Sequence, residues 1–84
     1  MPVELLLPLE LLEPGEWAEV FEVNGEAVAV HRLAELGIHP GCKLRMLRGG
    51  SPCLVQLGSA RVSLRNHSKT EITVRPLGAL EAVA

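Results

Sequence analysis

The sequence contains no aspartate and no tyrosine, and its only aromatic side chains are Trp17 and Phe21. The closely spaced Asp and Asn ligands of Mg²⁺ and Ca²⁺ loops are therefore missing. Two aromatics make no stacking platform for nucleic-acid bases, and a net charge of −2 argues against a polybasic nucleic-acid binder. Long apolar runs are also lacking. Leu5-Leu6-Leu7 is broken by Pro8 and flanked by Glu4 and Glu10, which is too short for a membrane span and has no basic leader. The expectation is a soluble, cytoplasmic protein without membrane insertion.

Cysteine is scarce too: Cys42 and Cys53 are the only pair. Gly49-Gly50-Ser51-Pro52 reads as a turn between two strands. A hairpin centred on Gly49-Gly50 puts Cys53 opposite Met46 and Cys42 near Leu57, which separates the thiols and leaves both as small buried hydrophobes. A reducing compartment suits that arrangement.

What is present is a chain of 84 residues with 48% hydrophobic composition, too apolar for a disordered protein. Surface scaling gives about 63% of the unfolded surface buried at this length, enough for one domain and not two. No repeat or linker divides residues 1–84. An apolar lead-in (Leu9, Leu12) closes in a turn at Pro14-Gly15. Trp17 to Val23 reads as the first strand, with Glu19 and Glu22 outward.

Asn24-Gly25 could form a tight hairpin turn, but a helix from about Glu26 to Leu36 explains the next segment better. Ala29, Val30, Leu33, Ala34 and Leu36 form one stripe, with Arg32 and Glu35 opposite. Gly37 suits the left-handed position after the helix, and Ile38 can then contact Leu33. Pro40-Gly41 suits the central pair of a type II turn.

Downstream the period becomes two. Leu44 and Met46 alternate with Lys43 and Arg45. Ala60, Val62 and Leu64 alternate with Arg61, Ser63 and Arg65, and Ile72 and Val74 alternate with Glu71, Thr73 and Arg75. Cys53 to Leu57 is nearly all apolar, as in a central strand, and Gly58-Ser59 makes a tight connection. About five short strands and one short helix point to a mainly β, SH3-like barrel whose closure would remove its sheet edges. Residues 76–84 read as a tail, either a frayed end or a short docking segment.

Arg32-Leu33-Ala34-Glu35-Leu36-Gly37-Ile38, followed by Pro40-Gly41, resembles the RLxxLGxxPG signature of the FeoA family, the small ferrous iron transport protein A. The opening Leu9-x-x-Leu12-x-x-Gly15, the turn Gly50-x-Pro52, the strand Val62-x-Leu64-Arg65 and the closing Ile72-x-Val74 follow in the family's order. The match covers about residues 9–75. The resemblance implies an SH3-like fold and a non-enzymatic role beside the membrane GTPase-permease FeoB, which takes up Fe²⁺. Leu33, Leu36, Gly37, Pro40 and Gly41 are read as structural motif positions. Related domains end the iron-dependent repressors, whose DNA-binding and dimerisation domains have no room here.

No residue set points to a cofactor or to catalysis. His31, His39 and His67, with Cys42 and Cys53, lack the close ligand pairs of zinc sites, so no metal site is assigned. Cys53 has no neighbouring base, Ser51 and Ser68 sit in turn-like contexts, and Gly49-Gly50 lacks the rest of a phosphate-binding loop. Charge is more informative. Residues 1–35 hold eight Glu and one Arg, whereas residues 36–84 hold seven Lys and Arg against two Glu. Arg45, Arg61 and Arg65 alternate with core positions and are the candidate partner-binding residues on a polarised docking face. The leading expectation is an accessory protein that docks on the cytoplasmic domain of a FeoB-like permease and modulates its assembly or GTPase and transport cycle. The other is a free-standing SH3-like regulatory module that binds a peptide or a transition metal.

Overall fold

Alternating apolar and polar positions, interrupted by glycine at most changes of direction, organise the chain into strands. The computed structural model describes residues 5–50, 52–65 and 70–77. Six strands appear: β1 (Leu7–Pro8), β2 (Trp17–Gly25), β3 (Lys43–Arg48), β4 (Cys53–Leu57), β5 (Ala60–Leu64) and β6 (Thr70–Pro76). A 3-10 turn at Leu9–Leu11 follows β1, and helix α1 (Ala27–Glu35) separates β2 from β3. All strands join one antiparallel sheet in the order β1-β6-β2-β3-β4-β5.

This is the expected mainly β, SH3-like architecture, with one strand more than expected. The apolar lead-in supplies it: Leu7 and Pro8 pair with Val74 and Thr73 at the edge of the sheet. The hydrogen-bonded ladder does not close, so β1 and β5 remain as edges. Neither edge is longer than five residues, and β5 carries Arg61, so both are poor templates for further pairing.

One sheet without a second layer has to curl around its own inner face. Ala18 and Val20 of β2, Leu44 and Met46 of β3, Cys53 and Val55 of β4, Leu64 of β5 and Val74 of β6 are buried together, with Leu9, Leu12 and Ile38 closing the cluster. Two bulges supply curvature. Phe21 is the extra residue where β2 shifts against β6, and Leu47 is the extra residue where β3 shifts against β4. Gly15 N–H donates to Met46 C=O at 2.7 Å and Met46 N–H to Glu16 C=O at 2.9 Å, tying the lead-in to β3.

The β3–β4 hairpin differs from expectation. Met46 pairs with Val55 rather than Cys53, because residues 49–52 form the connection instead of a tight turn at Gly49-Gly50. Ser51 lies outside the described residues. The register moves by two residues, so each side chain keeps its face and Cys53 remains inward, opposite Leu64. Both cysteines are free thiols. The β4–β5 connection is the expected tight one: Gly58 has φ 59° and Ser59 does not share the positive sign, the pattern of a type II′ turn.

Asn24-Gly25 neither turns the chain nor ends the strand, since β2 continues to pair with β6 through Gly25. Helix α1 begins two residues later and ends as expected. Gly37 has φ 99°; its N–H donates to Ala34 C=O at 2.9 Å, and Ile38 N–H reaches Leu33 C=O at 2.8 Å. Those two bonds make a Schellman cap. The next turn is type II, with Gly41 at φ 96° and Cys42 N–H donating to His39 C=O at 3.0 Å. Gly41 N–H then donates to Val20 C=O at 2.8 Å, and Val20 N–H to Cys42 C=O at 2.8 Å. The helix end and the turn are thereby bound to β2 beside its bulge.

The expected buried stripe on α1 is only partly realised. No helix residue is buried; Leu33 is half-buried against the core, whereas Val28 and Leu36 are 64% and 54% exposed. From this segment Leu33 and, beyond the cap, Ile38 pack on the core, and Leu36 does not. No described helix is long and apolar enough to cross a membrane.

Three outcomes test this description. Gly37→Ala should lower unfolding free energy by about 1 kcal/mol through its positive φ. Because an added Cβ meets nothing nearer than Leu57 Cδ1 at 3.8 Å, the cost is conformational, and Gly37→Asn should cost less in urea unfolding. Ile38→Ala should cost about 2–5 kcal/mol while Leu36→Ala stays within about 0.5 kcal/mol, read by the same titration. Burial pushes the Cys53 thiol pKa up. The fold therefore favours the neutral thiol, and this contribution to stability is present below the unfolded pKa and lost as pH rises through the folded one. Iodoacetamide should spare Cys53 in the native protein at pH 8 and label it after unfolding, as read by mass spectrometry.

Candidate functional site

Residues directly opposite one another in an antiparallel ladder share a face. On the outer face, Trp17 pairs with Arg45, Arg45 with Gln56, and Gln56 with Arg61. These four side chains form one row across β2, β3, β4 and β5. Parallel to it on one side run Arg75, Glu19 and Lys43; on the other run Arg48, Leu54 and Ser63.

The charges in this face are unequally engaged. Glu19 is held by Arg75 across the β2–β6 ladder. Among the described residues Lys43, Arg45, Arg48, Arg61 and Arg65 have no ion-pair partner. Arg45 is the most constrained of them. Its guanidinium lies over the Trp17 ring, 5.9 Å from the centroid, a cation–π contact worth about 0.5–1 kcal/mol. Its Nε is buried without a hydrogen-bond partner, so its outer nitrogens are the ones presented to solvent. Gln56 is tethered by a 3.0 Å bond from Nε2 to Gly58 C=O.

The three arginines singled out from the sequence are thus not equivalent. Arg45 and Arg61 share the row, separated by Gln56. Arg65 lies just beyond β5 and lines a groove of about 700 Å³ between α1 and the ends of β5 and β6, with Val28, Leu33, Leu64 and Ile72. Trp17 was overlooked as a site residue because its alternation marks only a strand position; the cross-strand register is what joins it to Arg45.

The motif positions are structural. Gly37 and Gly41 form the cap and the turn, Pro40 precedes the turn glycine, and Leu33 packs on the core. Leu36, exposed, is the C-cap of α1. Among the described residues no three His, Cys or Glu side chains converge as a metal site. His31 Nε2 lies 3.7 Å from Glu35 Oε2 on the exposed face of α1, and the His39 ring contacts Pro40 C=O through Nδ1 at 3.1 Å. His67, Ser68 and the tail from residue 78, with Leu80, lie outside the described residues.

Comparison with known proteins identifies the family and the fold. A FeoA domain model matches residues 7–76. The crystal structure of an iron uptake regulatory protein (FeoA) superposes with TM-score 0.79 and 24% identity, covering 87% of this chain and 100% of that one, a likeness of fold. The solution structure of FeoA from Chlorobium tepidum gives 0.76 at 33% identity, covering 86% and 71%. The zinc complex of Stenotrophomonas maltophilia FeoA, described as a prokaryotic SH3 domain protein, gives 0.61 at 37% identity, covering 70% and 78%. No curated protein matches. With the signature at residues 32–41 folded as a Schellman cap and type II turn, and the family model spanning residues 7–76, the chain belongs to the FeoA family.

Proposed function

We propose that this protein is a non-enzymatic accessory factor of ferrous iron uptake. It docks on the cytoplasmic domain of a FeoB-like GTPase-permease and modulates its assembly or its GTPase and transport cycle. Family membership supports the iron-transport setting, and the S. maltophilia relative is described as a candidate activating factor of bacterial ferrous iron transport. The observation that carries the docking role is the basic outer face, on which Lys43, Arg45, Arg48 and Arg61 have no ion-pair partner among the described residues. Exposed cations without internal partners raise encounter rates with an acidic surface and set orientation more than raw affinity.

Arg45, Arg61 and Arg65 are the proposed contact residues. Replacing all three with Gln should leave far-UV circular dichroism unchanged, because none belongs to the buried core. Calorimetry against the permease's soluble domain should show weaker binding for the triple variant. The wild-type contact should also weaken as salt rises, since exposed charges are screened beyond about 8 Å at physiological ionic strength. Equal binding by the triple variant at low salt would remove this face as the docking site.

A further inference from the structure

The outer row has a spacing as well as a charge. Two inter-strand steps of about 4.8 Å each place the Arg45 and Arg61 backbones about 10 Å apart. Between them stands Gln56, neutral and tied to Gly58 C=O. Arg45 is held by the Trp17 ring, so one end of the row is fixed, whereas Arg61 is exposed and adaptable. Two positive ends with a neutral centre select two separated carboxylates over two adjacent ones.

An extended left-handed (polyproline II) segment repeats its side chains on one face every three residues, about 9.3 Å apart. A β-strand presents same-face side chains about 6.8 Å apart and misses this interval. We infer that the Trp17–Arg45–Gln56–Arg61 row binds an acidic protein segment in the polyproline II conformation, with carboxylates at positions i and i+3 meeting Arg45 and Arg61. The inference rests on the docking reading above and specifies the chemistry of the partner at that face. Nucleic acid is disfavoured because the row holds one aromatic ring, already engaged by Arg45, and a single ring makes no stacking platform for successive bases. An anionic membrane is disfavoured by the net charge of −2 and by Glu22, exposed on β2 next to the bulge.

Trp17 is the only tryptophan, so its emission reports on the row directly. The full-length protein is titrated at low salt with a nine-residue prolyl peptide carrying Glu at positions 2, 5 and 8. A second peptide of the same composition carries its Glu together at positions 4, 5 and 6. The spaced peptide should change Trp17 emission saturably, bind at least fivefold more tightly than the clustered one, and lose affinity as salt rises. Arg61→Gln, at an exposed position that cannot unfold the core, should weaken it about tenfold, a loss of about 1.4 kcal/mol. Arg45→Lys, which keeps the charge but not the planar fork, should weaken it several-fold, and Arg32→Gln, exposed on α1 away from the row, should change it less than twofold.

Equal binding of the two peptides would overturn the inference. So would an Arg32→Gln loss matching that of Arg61→Gln, or tighter binding to phosphatidylserine vesicles or a single-stranded oligonucleotide. If the spaced peptide gives no saturable change while the permease domain still binds in an Arg61-dependent way, this inference fails and the docking reading stands. If the peptide binds and the permease domain does not, the docking reading fails and the recognition chemistry stands.

Discussion

A single small sheet that buries one face has to find a covering for it, and among the described residues most of that covering is the sheet itself. The helix provides little, since none of its residues is buried. The strands therefore coil until Val20, Leu44, Met46, Val55 and Val74 meet one another, with Ile38 among them at 1% exposure. Everything else in the molecule accommodates that coiling. The bulges at Phe21 and Leu47 bend the two strands at the centre of the sheet. The lead-in folds back so that Leu9 and Leu12 plug the remaining opening.

Self-burial also decides the surface. With the inner face consumed by the core, the outer face has nothing to pack against and carries the long charged side chains. Strand alternation assigns them to that side, and ladder register then sorts them into rows. Arg75 and Glu19 neutralise each other in one row, while Arg45 in the next is matched to an aromatic ring rather than to an acid. The result is a local basic face on a chain whose net charge is −2. Such a face attracts acidic partners at short range without making the whole protein cationic.

The family signature plays a different part. Its glycines adopt backbone angles that L side chains seldom reach, and its turn hydrogen-bonds to Val20 on both its donor and acceptor sides. It is a joint that returns the chain from the helix to the sheet in the correct place. A signature of this kind identifies a fold with confidence because its residue types follow from backbone geometry. It says nothing about recognition.

Much of this was legible in the amino-acid order. The period-two alternation of residues 43–46, 60–65 and 71–75, the capping glycine and the Pro-Gly turn are local features, and local sterics and hydrogen bonding dictate them. What the order could not reveal depends on distant partners. The two-residue strand β1 exists only because β6 is beside it. Asn24-Gly25 stays extended because Glu71 and Thr70 pair with it, although alone it favours a turn. Leu36 has the right spacing for a buried stripe and is exposed, because Leu33 and Ile38 are the side chains of this segment that pack on the core. Arg45, Arg61 and Arg65 were equivalent by alternation alone. Tertiary register divided them, placing Arg45 and Arg61 in one row with Trp17 and Arg65 at the helix groove, since which residues face each other across a sheet is fixed by loop lengths and bulges that act between strands.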